Sequence, residues 1–406
     1  MRLALNDLPA GPTILPHQVP MPVTGVLDLL PDGAGVLRRR ESGYLPDPAD
    51  VKVPARLVRS AGLRAGDEIT GEVGRGERGR PGPLGDVTTI CDRPAATLRE
   101  RPTFERLTAI HPRERLRLAC GRRVGGQPDL TGRAIDLIAP FGRGQRATIV
   151  APAKAGKTTV LTAVAEGIKA NHPECRLLVL LVDERPEEVT EMESAGVGEV
   201  VASSFDRPAE EHAGLAELTI ERARRLVELG EHVVIVLDSV TRLARAFNAV
   251  ETKSGGRTMS GGLGAGALER PKRLLGSARA TTDAGSLTIV ATSLIDTGSK
   301  MDQVIFEEFK GTGNCEVTLS RELAERRLFP AIDVTASGTR REELLLSPRE
   351  LEVARALRKR LADLQPVPAS QLFLELLRRN SDDAALAKAL GVSGGKLAAG
   401  GELIVV

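Results

Sequence analysis

"RATIVAPAKAGKTTVLTAVAEGIKA", residues 146–170, decides the fold. Its opening, Arg146 to Pro152, is a short apolar run bounded by turn residues, the pattern of a buried strand. From Gly156 onward the apolar residues recur at helical spacing. Between the two lies "APAKAGKTT" (151–159), a phosphate-binding loop in which Ala151 stands where glycine is usual. The first donors of a helix have no partner inside it. Backbone N–H groups of Ala153, Lys154, Ala155, Gly156, Lys157, Thr158 and Thr159 can therefore converge on phosphate oxygens. Lys157 reaches the outer phosphates, the Thr158 hydroxyl reaches a magnesium ion, and Lys154 adds a second cation. ATP and Mg2+ are the cofactors this stretch predicts.

Outward from it, strand and helix alternate. "RLLVLLVDE" (176–184), "HVVIVLDS" (232–239) and "GSLTIVATSLI" (285–295) read as strands, and "PAEEHAGLAELTIERARRLVELG" (208–230) as a helix. Continuous apolar strands between helices mean a parallel sheet covered on both faces. One strand poses a question. "LLVLLVDERPEEVTEM" (177–192) runs from apolar residues straight into Asp183, Glu184 and Arg185. Charges at the end of a buried strand cost free energy unless partnered. Three strand ends, near 150, 183 and 238, converge on one crevice, which is where open α/β sheets bind ligands. Glu184 then faces the γ-phosphate and can orient or deprotonate an attacking water, with Arg185 neutralising the pair. The plainer alternative is an ion pair closing a strand. Asp238 holds the magnesium, partly through water, or caps the next helix. Arg242 and Arg245 follow on one helical face.

The remaining composition sets limits. The 406 residues suffice for two or three domains, and a net charge of +2 names no partner. Cys91, Cys120, Cys175 and Cys315 form no CxxC pattern, which argues against a structural zinc site and fits a reducing cytosol. No apolar run approaches the ~20 residues of a membrane span, and no signal-peptide pattern opens the chain. Residues 1–24 read as an extended tail. In 25–95, "TGVLDLL", "AGVLRR", "DVKVPARLV" and "DEITGEVG" read as short strands of a small barrel. Residues 96–130 read as a basic connector and 131–406 as the nucleotide-binding domain with C-terminal helices.

Together "GRGQRATIVAPAKAGKTT", "LVDERPEEVTEM", "LDSVTRLARAFN", "SLIDTGSKMDQVIFEEFKGTGN" and "FPAIDVTASGTRREELL" resemble the bacterial transcription termination factor Rho family, from about Gly25 to residue 380. The resemblance implies an OB-like, cold-shock-type RNA-binding barrel followed by a RecA-like P-loop ATPase domain. It implies a cytoplasmic homohexameric ring that binds single-stranded RNA, moves 5′ to 3′ by ATP hydrolysis, and acts on RNA polymerase and its elongation factors. It makes Glu184 the catalytic glutamate, Asp238 the magnesium-side aspartate and Arg340 an arginine finger lent to the neighbouring subunit. It places Arg327 near that interface and Phe329 against the adenine. "KSGGRTMSGG" (253–262), with Arg257, Thr258 and Ser260, and "DTGSKM" (296–301), with Thr297, Gly298 and Lys300, become the RNA-facing loops inside the ring.

The barrel departs from that family. "DGAGVLRR" (32–39) aligns with a motif whose aromatics stack on bases, but carries Ala34 and Val36 there, and Lys52 stands at another position where an aromatic is common. Stacking is worth ~1–3 kcal/mol per base. Arg38, Arg39, Arg40 and Lys52 can compensate by charge, or the barrel is structural. Two other classes stay open: a rotary or secretion ATPase subunit, and an RNA-binding protein with a degenerate nucleotide site.

Overall fold

The computed structural model describes residues 21–76, 81–253, 262–264 and 266–392. The proposed tail falls on residues 1–20, outside the described residues, as does the apolar C-terminal tip. The chain divides into two compact units at Arg101/Pro102.

The first unit is a six-stranded antiparallel sheet. Its strands are β1 (Met21–Leu29), β2 (Gly35–Arg38), β3 (Val51–Val53), β4 (Glu68–Arg75), β5 (Pro81–Ile90) and β6 (Arg93–Pro94), in the order β3-β2-β1-β4-β5-β6. β3 also meets β5, so the sheet curls on itself. Alternation sets the faces. Leu27 pairs in register with Leu37, and both are buried with Val51, Val53, Ile69 and Ile90. Asp28, Val36 and Lys52 lie level on the opposite face. "DVKVPARLV" is only partly a strand. Pro54 stops β3, and Ala55–Ala61 form helix α1, closed by Gly62 at φ 63°. Proline fits just before a helix, where no N–H is needed, and only glycine adopts that closing turn without strain.

The second unit is built on a nine-stranded sheet. Its first strand, β7 (Ala109–Ile110), is followed by two small antiparallel pairs: β8 (Arg115–Leu116) with β11 (Phe141–Gly142), and β9 (Arg123–Val124) with β10 (Gln127–Pro128). Helix α2 (Thr131–Ile138) lies between β10 and β11, ahead of the main strands. These are β12 (Arg146–Pro152), β13 (Cys175–Glu184), β14 (Glu199–Ser204), β15 (His232–Asp238), β16 (Arg279–Thr281), β17 (Ser286–Ile295), β18 (Cys315–Thr318) and β19 (Gly338–Thr339). The order is β14-β13-β15-β17-β12-β18-β19, with β16 on β17 and β7 on β16. The central pairs are parallel, as the unbroken apolar runs required. Helices α3 (Lys157–Asn171), α4 (Pro186–Ala195), α5 (Ala209–Glu228) and α6 (Val240–Lys253) follow successive strands. Val179, Leu181, Val234 and Val236 pack with Val160, Leu161 and Val164 of α3. On the other face Leu180 and Ile235 meet Ala216 and Ile220 of α5 and Leu243 of α6. The unit is completed by α7 (Glu269–Leu275), α8 (Lys300–Lys310), α9 (Arg321–Glu325), α10 (Pro348–Leu361), α11 (Pro366–Arg379) and α12 (Asp383–Ala389).

The stretch expected as a basic connector does not present free cations throughout. Phe104 is buried, its N–H donates to Glu228 Oε1 (2.8 Å), and Arg224 and Arg279 lie over its ring. Arg115 and Arg117 pair with Glu350 on α10 at 2.8 and 2.6 Å. Residues in this run are spent on internal pairs because carboxylates far off in sequence come to meet them.

Candidate nucleotide site and nucleic-acid interface

The loop between β12 and α3 has the conformation its sequence demands. Lys154 takes φ 63° and Gly156 φ 88°. No side chain caps α3, so its first N–H groups carry no side-chain acceptor. Ala153, Lys154 and Thr159 are exposed and Ala155 is buried.

Lys157 crosses from α3 to two neighbouring strand ends. Its Nζ lies 2.9 Å from Glu184 Oε1 on β13 and 2.6 Å from Asp238 Oδ1 on β15. Glu184 is 1% exposed and Asp238 2%. Burial lowers the Lys157 pKa, but Asp238 and Glu184 outweigh it, and the net shift is upward. Burial raises the Glu184 pKa and the Asp238 charge raises it further, against Lys157 and Arg242, so this carboxyl holds a proton more readily than a free one. Asp238 is not a helix cap. Ser239 does that work, its Oγ accepting from the Arg242 N–H at 3.2 Å, while Asp238 Oδ1 also accepts from Thr292 Oγ1 at 2.7 Å.

The acidic strand end now has an explanation. Asp183 takes φ 56°, and the β13–β14 register slips between Val182 and Glu184. The bulge turns two consecutive carboxylates toward one guanidinium. Arg242 Nη1 is 3.0 Å from Asp183 Oδ2, and its Nε is 3.2 Å from Glu184 Oε1. Arg185, expected to neutralise this pair, is instead exposed at the start of α4. The neutralising arginine comes from α6, whose first turn leaves the adjacent strand end.

Two site residues escaped the sequence. Glu188 sits one turn beyond Glu184, with Oε2 3.4 Å from Thr158 Oγ1. Glu184, Glu188 and Asp238 each offer an oxygen within 4.8 Å of the others. The (i, i+4) spacing across Pro186 was the available signal. Thr292 was marked only by being polar inside an apolar strand. Three carboxylates beside the Thr158 hydroxyl are hard oxygen ligands of the kind magnesium takes, so the donor set fits that ion.

Arg327 and Phe329 follow α9, beyond the carboxyl end of β18, next to the strand that leads into the loop. Phe329 is 47% exposed, ready to pack on a flat ring. Arg340 is elsewhere. Its N–H donates to Asn314 O (2.9 Å), just before β18 begins, so it lies level with Arg146 at the opposite end of the sheet. At ~3.3 Å per residue, Arg146 and Pro152 are roughly 20 Å apart, and Arg340 does not reach the loop of its own chain.

Thr297, Gly298 and Lys300 follow β17, and all three are exposed. They border a cleft of about 420 Å³. The Thr297 hydroxyl donates to Asp302 (2.6 Å), which also takes a two-pronged contact from Arg245 of α6 at 2.7 and 2.6 Å. Arg257, Thr258 and Ser260 lie outside the described residues.

In the first unit two of the expected RNA-facing cations have internal partners. Arg38, expected to attract RNA, is engaged by Asp28 (2.7 Å) and Asp50 (2.8 Å). Arg39 pairs with Asp47 at 3.2 Å. β1 brings Asp28, and the turn before β3 brings Asp47 and Asp50, beside these arginines, while Arg40 is exposed. Lys52 is exposed, and Tyr44 is buried, so it offers no stacking surface.

No helix among the described residues is long and apolar enough to cross a membrane. Residues 23–95 match the Rho termination factor, RNA-binding domain, and residues 132–339 match the ATP synthase alpha/beta family, nucleotide-binding domain. The transcription termination factor Rho of Gemmatimonas aurantiaca is 54% identical over 367 residues, covering 90% of this chain and 49% of that protein. That of Streptomyces lividans is 50% identical over 377 residues, covering 92% and 52%. That of Buchnera aphidicola subsp. Schizaphis graminum is 51% identical over 354 residues, covering 87% and 84%. The chain thus spans about half the length of the first two relatives. Among solved structures, a prototypical ATPase from the type III secretion system of pathogenic bacteria superposes with a TM-score of 0.56 at 25% identity, over 77% of this chain and 84% of that one. From the identities over nine-tenths of its length, and the two domain matches in their order, this chain belongs to the transcription termination factor Rho family.

Proposed function

We propose that the chain is an ATP-driven, RNA-stimulated translocase that ends transcription by moving 5′ to 3′ along single-stranded RNA. It works as a cytoplasmic homohexameric ring, with RNA polymerase and its elongation factors as partners. The observation that carries this reading is the convergence of Lys157, Glu184 and Asp238 in one buried crevice, in a chain whose residues 23–95 match an RNA-binding domain.

In that reading the N–H groups at the start of α3 and the Lys157 ammonium hold the β- and γ-phosphates. Lys157 then leaves its contacts with Glu184 and Asp238. Glu184, freed from the ammonium, orients the attacking water and accepts its proton, for which a raised pKa suits it. Thr158, Asp238 and Glu188 would hold a magnesium ion, which when bound would neutralise charge on the phosphates. Phe329 and Arg327 take the base side. Arg340, at the wrong end of its own sheet, serves the nucleotide of the next subunit. Lys300 and the Thr297–Gly298 turn grip the RNA backbone, and Arg257, Thr258 and Ser260 serve the same strand.

ATP turnover with and without polycytidylate tests the reading. Strong stimulation by RNA is the expected result. RNA-independent hydrolysis would favour a rotary- or secretion-type ATPase, and RNA binding without hydrolysis a degenerate nucleotide site.

A further inference from the structure

Helix α6 carries Asn248 and Glu251 in its last turns, at a spacing that puts them on neighbouring positions of one face. Both side chains reach the same piece of backbone. Asn248 is 7% exposed. Its Nδ2 donates to Gly262 O (3.1 Å), and its Oδ1 accepts from the Gly264 N–H (2.7 Å). Glu251 Oε1 accepts from the Gly266 N–H (3.0 Å). Leu263, between the two residues that Asn248 holds, is buried. This is where the chain returns from "KSGGRTMSGG" (253–262), of which residues 254–261 lie outside the described residues.

The residue types follow from what they meet. A backbone C=O and an N–H two residues on need a donor and an acceptor at the end of one short side chain. Asparagine supplies both, whereas ionised aspartate has no donor. Gly264 is buried, so its N–H has no water to turn to and depends on this partner. Glu251 comes so close that glycine is required opposite it. A Cβ on Gly266 would stand 2.9 Å from Glu251 Oε1, nearer than such atoms approach. Asn248 Nδ2 also reaches Met301 Sδ, a weak acceptor, at 4.0 Å, and Met301 follows Lys300 in the chain. One helix face thus holds the returning end of one stretch and touches the segment that carries Lys300.

We propose that Asn248 and Glu251 are positioning residues for RNA. They fix the returning end of the 253–262 stretch on α6, so that its cations and Lys300 act on one strand. Their own polar atoms are turned to the backbone, and they act through Arg257 and Lys300. The proposal rests on the RNA-facing reading of those two stretches. Small residues at Gly264 and Gly266 belong to the device, because they let the backbone come within reach of the two side chains.

The test uses the full chain and polycytidylate, and reads two quantities: the RNA concentration that half-saturates ATP turnover, and turnover at saturating RNA. Asn248→Asp sets a carboxylate oxygen against Gly262 O. It should raise the half-saturating concentration about tenfold and leave turnover at saturation within about threefold of wild type. Gly266→Ala, a mild change at a half-buried turn, should raise it about three- to fivefold, and it stands in if Asn248→Asp does not fold. Glu251→Gln keeps an oxygen for the Gly266 N–H and should stay within about twofold. Glu251→Ala should cost as much as Gly266→Ala, and the two together no more than either, since both break one contact. The proposal is overturned if Asn248→Asp and Gly266→Ala both leave the half-saturating concentration within about twofold of wild type. It is also overturned if Glu251→Gln does as much damage as Glu251→Ala, or if the loss falls only on turnover at saturating RNA, as a merely structural tether would give. Arg257→Ala separates the two levels of the reading. No change there sinks the RNA-facing reading of the stretch and the proposal with it, whereas a rise of about tenfold beside an unaffected Asn248→Asp sinks the proposal alone.

Discussion

The nucleotide crevice and the outward face of the N-terminal sheet both set arginines beside carboxylates, and they differ in what is left over. In the crevice two cations, Lys157 and Arg242, face four carboxylates, Asp183, Glu184, Glu188 and Asp238. Glu184 and Asp238 are buried while Asp183 and Glu188 are half-buried, and the excess of carboxylates is eased by a ligand that brings positive charge. On the sheet face, Arg38 lies between Asp28 and Asp50, and Arg39 beside Asp47. There the charges close on each other and call for nothing. Charge that a fold leaves unbalanced marks a site. Charge that closes on internal partners, as at Arg38 and Arg39, leaves no such excess.

The largest effect should come from Arg340→Ala. A trans arginine is worth ~10³–10⁵ in rate in well-studied cases, so turnover should fall by about a thousandfold or more. Mixed rings should lose more activity than the mutant fraction, whereas strictly proportional loss would place Arg340 outside the chemistry. Next in size is Glu184→Gln, which should cost ~10²–10⁴ in turnover while leaving ATP and RNA affinity near wild type. Turnover within a few-fold of wild type would move the base elsewhere, with Glu188 the first alternative.

The sheet face should break differently. Arg38→Ala leaves Asp28 and Asp50 adjacent without their shared cation, so it should cost stability, about 1–2 kcal/mol by urea unfolding. RNA affinity should change little. A large affinity loss at unchanged stability would make Arg38 a contact after all.

The smallest effect belongs to a purely structural pair. Burial alone would raise the Glu350 pKa, but Ser347, Arg115 and Arg117 pull it down to about 2. A depressed carboxyl contributes stability above its unfolded pKa, near 4.5, and loses it as pH falls toward 2. Glu350→Gln should therefore destabilise by about 1–2 kcal/mol at pH 7, allowing for solvent screening. The gap should close as the pH drops through that window. A gap constant with pH would show that the cap's hydrogen bonds, not charge, carry it.

The same contrast explains what the sequence could tell. The ATPase sheet was legible because its strands are unbroken apolar runs, and a charged group at such an end must have a reason. Lys157, Glu184 and Asp238 stood out on that ground and meet in space. Arg185 was misread because the cation that pairs with Asp183 and Glu184 comes from Arg242, 57 positions beyond Arg185 in the chain, and adjacency in sequence suggested the wrong partner. Glu188 and Thr292 act through packing that no local pattern announces. In the barrel the strands β1, β2 and β4 were readable from alternation, but Pro54 turned the expected continuation of β3 into a helix. Arg38 looked available because Asp28 and Asp50 are ten and twelve residues away and become its neighbours only once the strands pair.

The most direct measurement is the RNA concentration that half-saturates ATP turnover in the full chain, taken for Lys300→Ala and for Lys52→Ala. Stacking on aromatics is worth ~1–3 kcal/mol per base, and a backbone-contacting lysine acts through charge. If RNA engagement rests on the ATPase unit, Lys300→Ala should raise the half-saturating concentration by about tenfold or more, and Lys52→Ala by less than about threefold. The reverse order, with Lys52→Ala the damaging change, would contradict the account and return RNA capture to the sheet face.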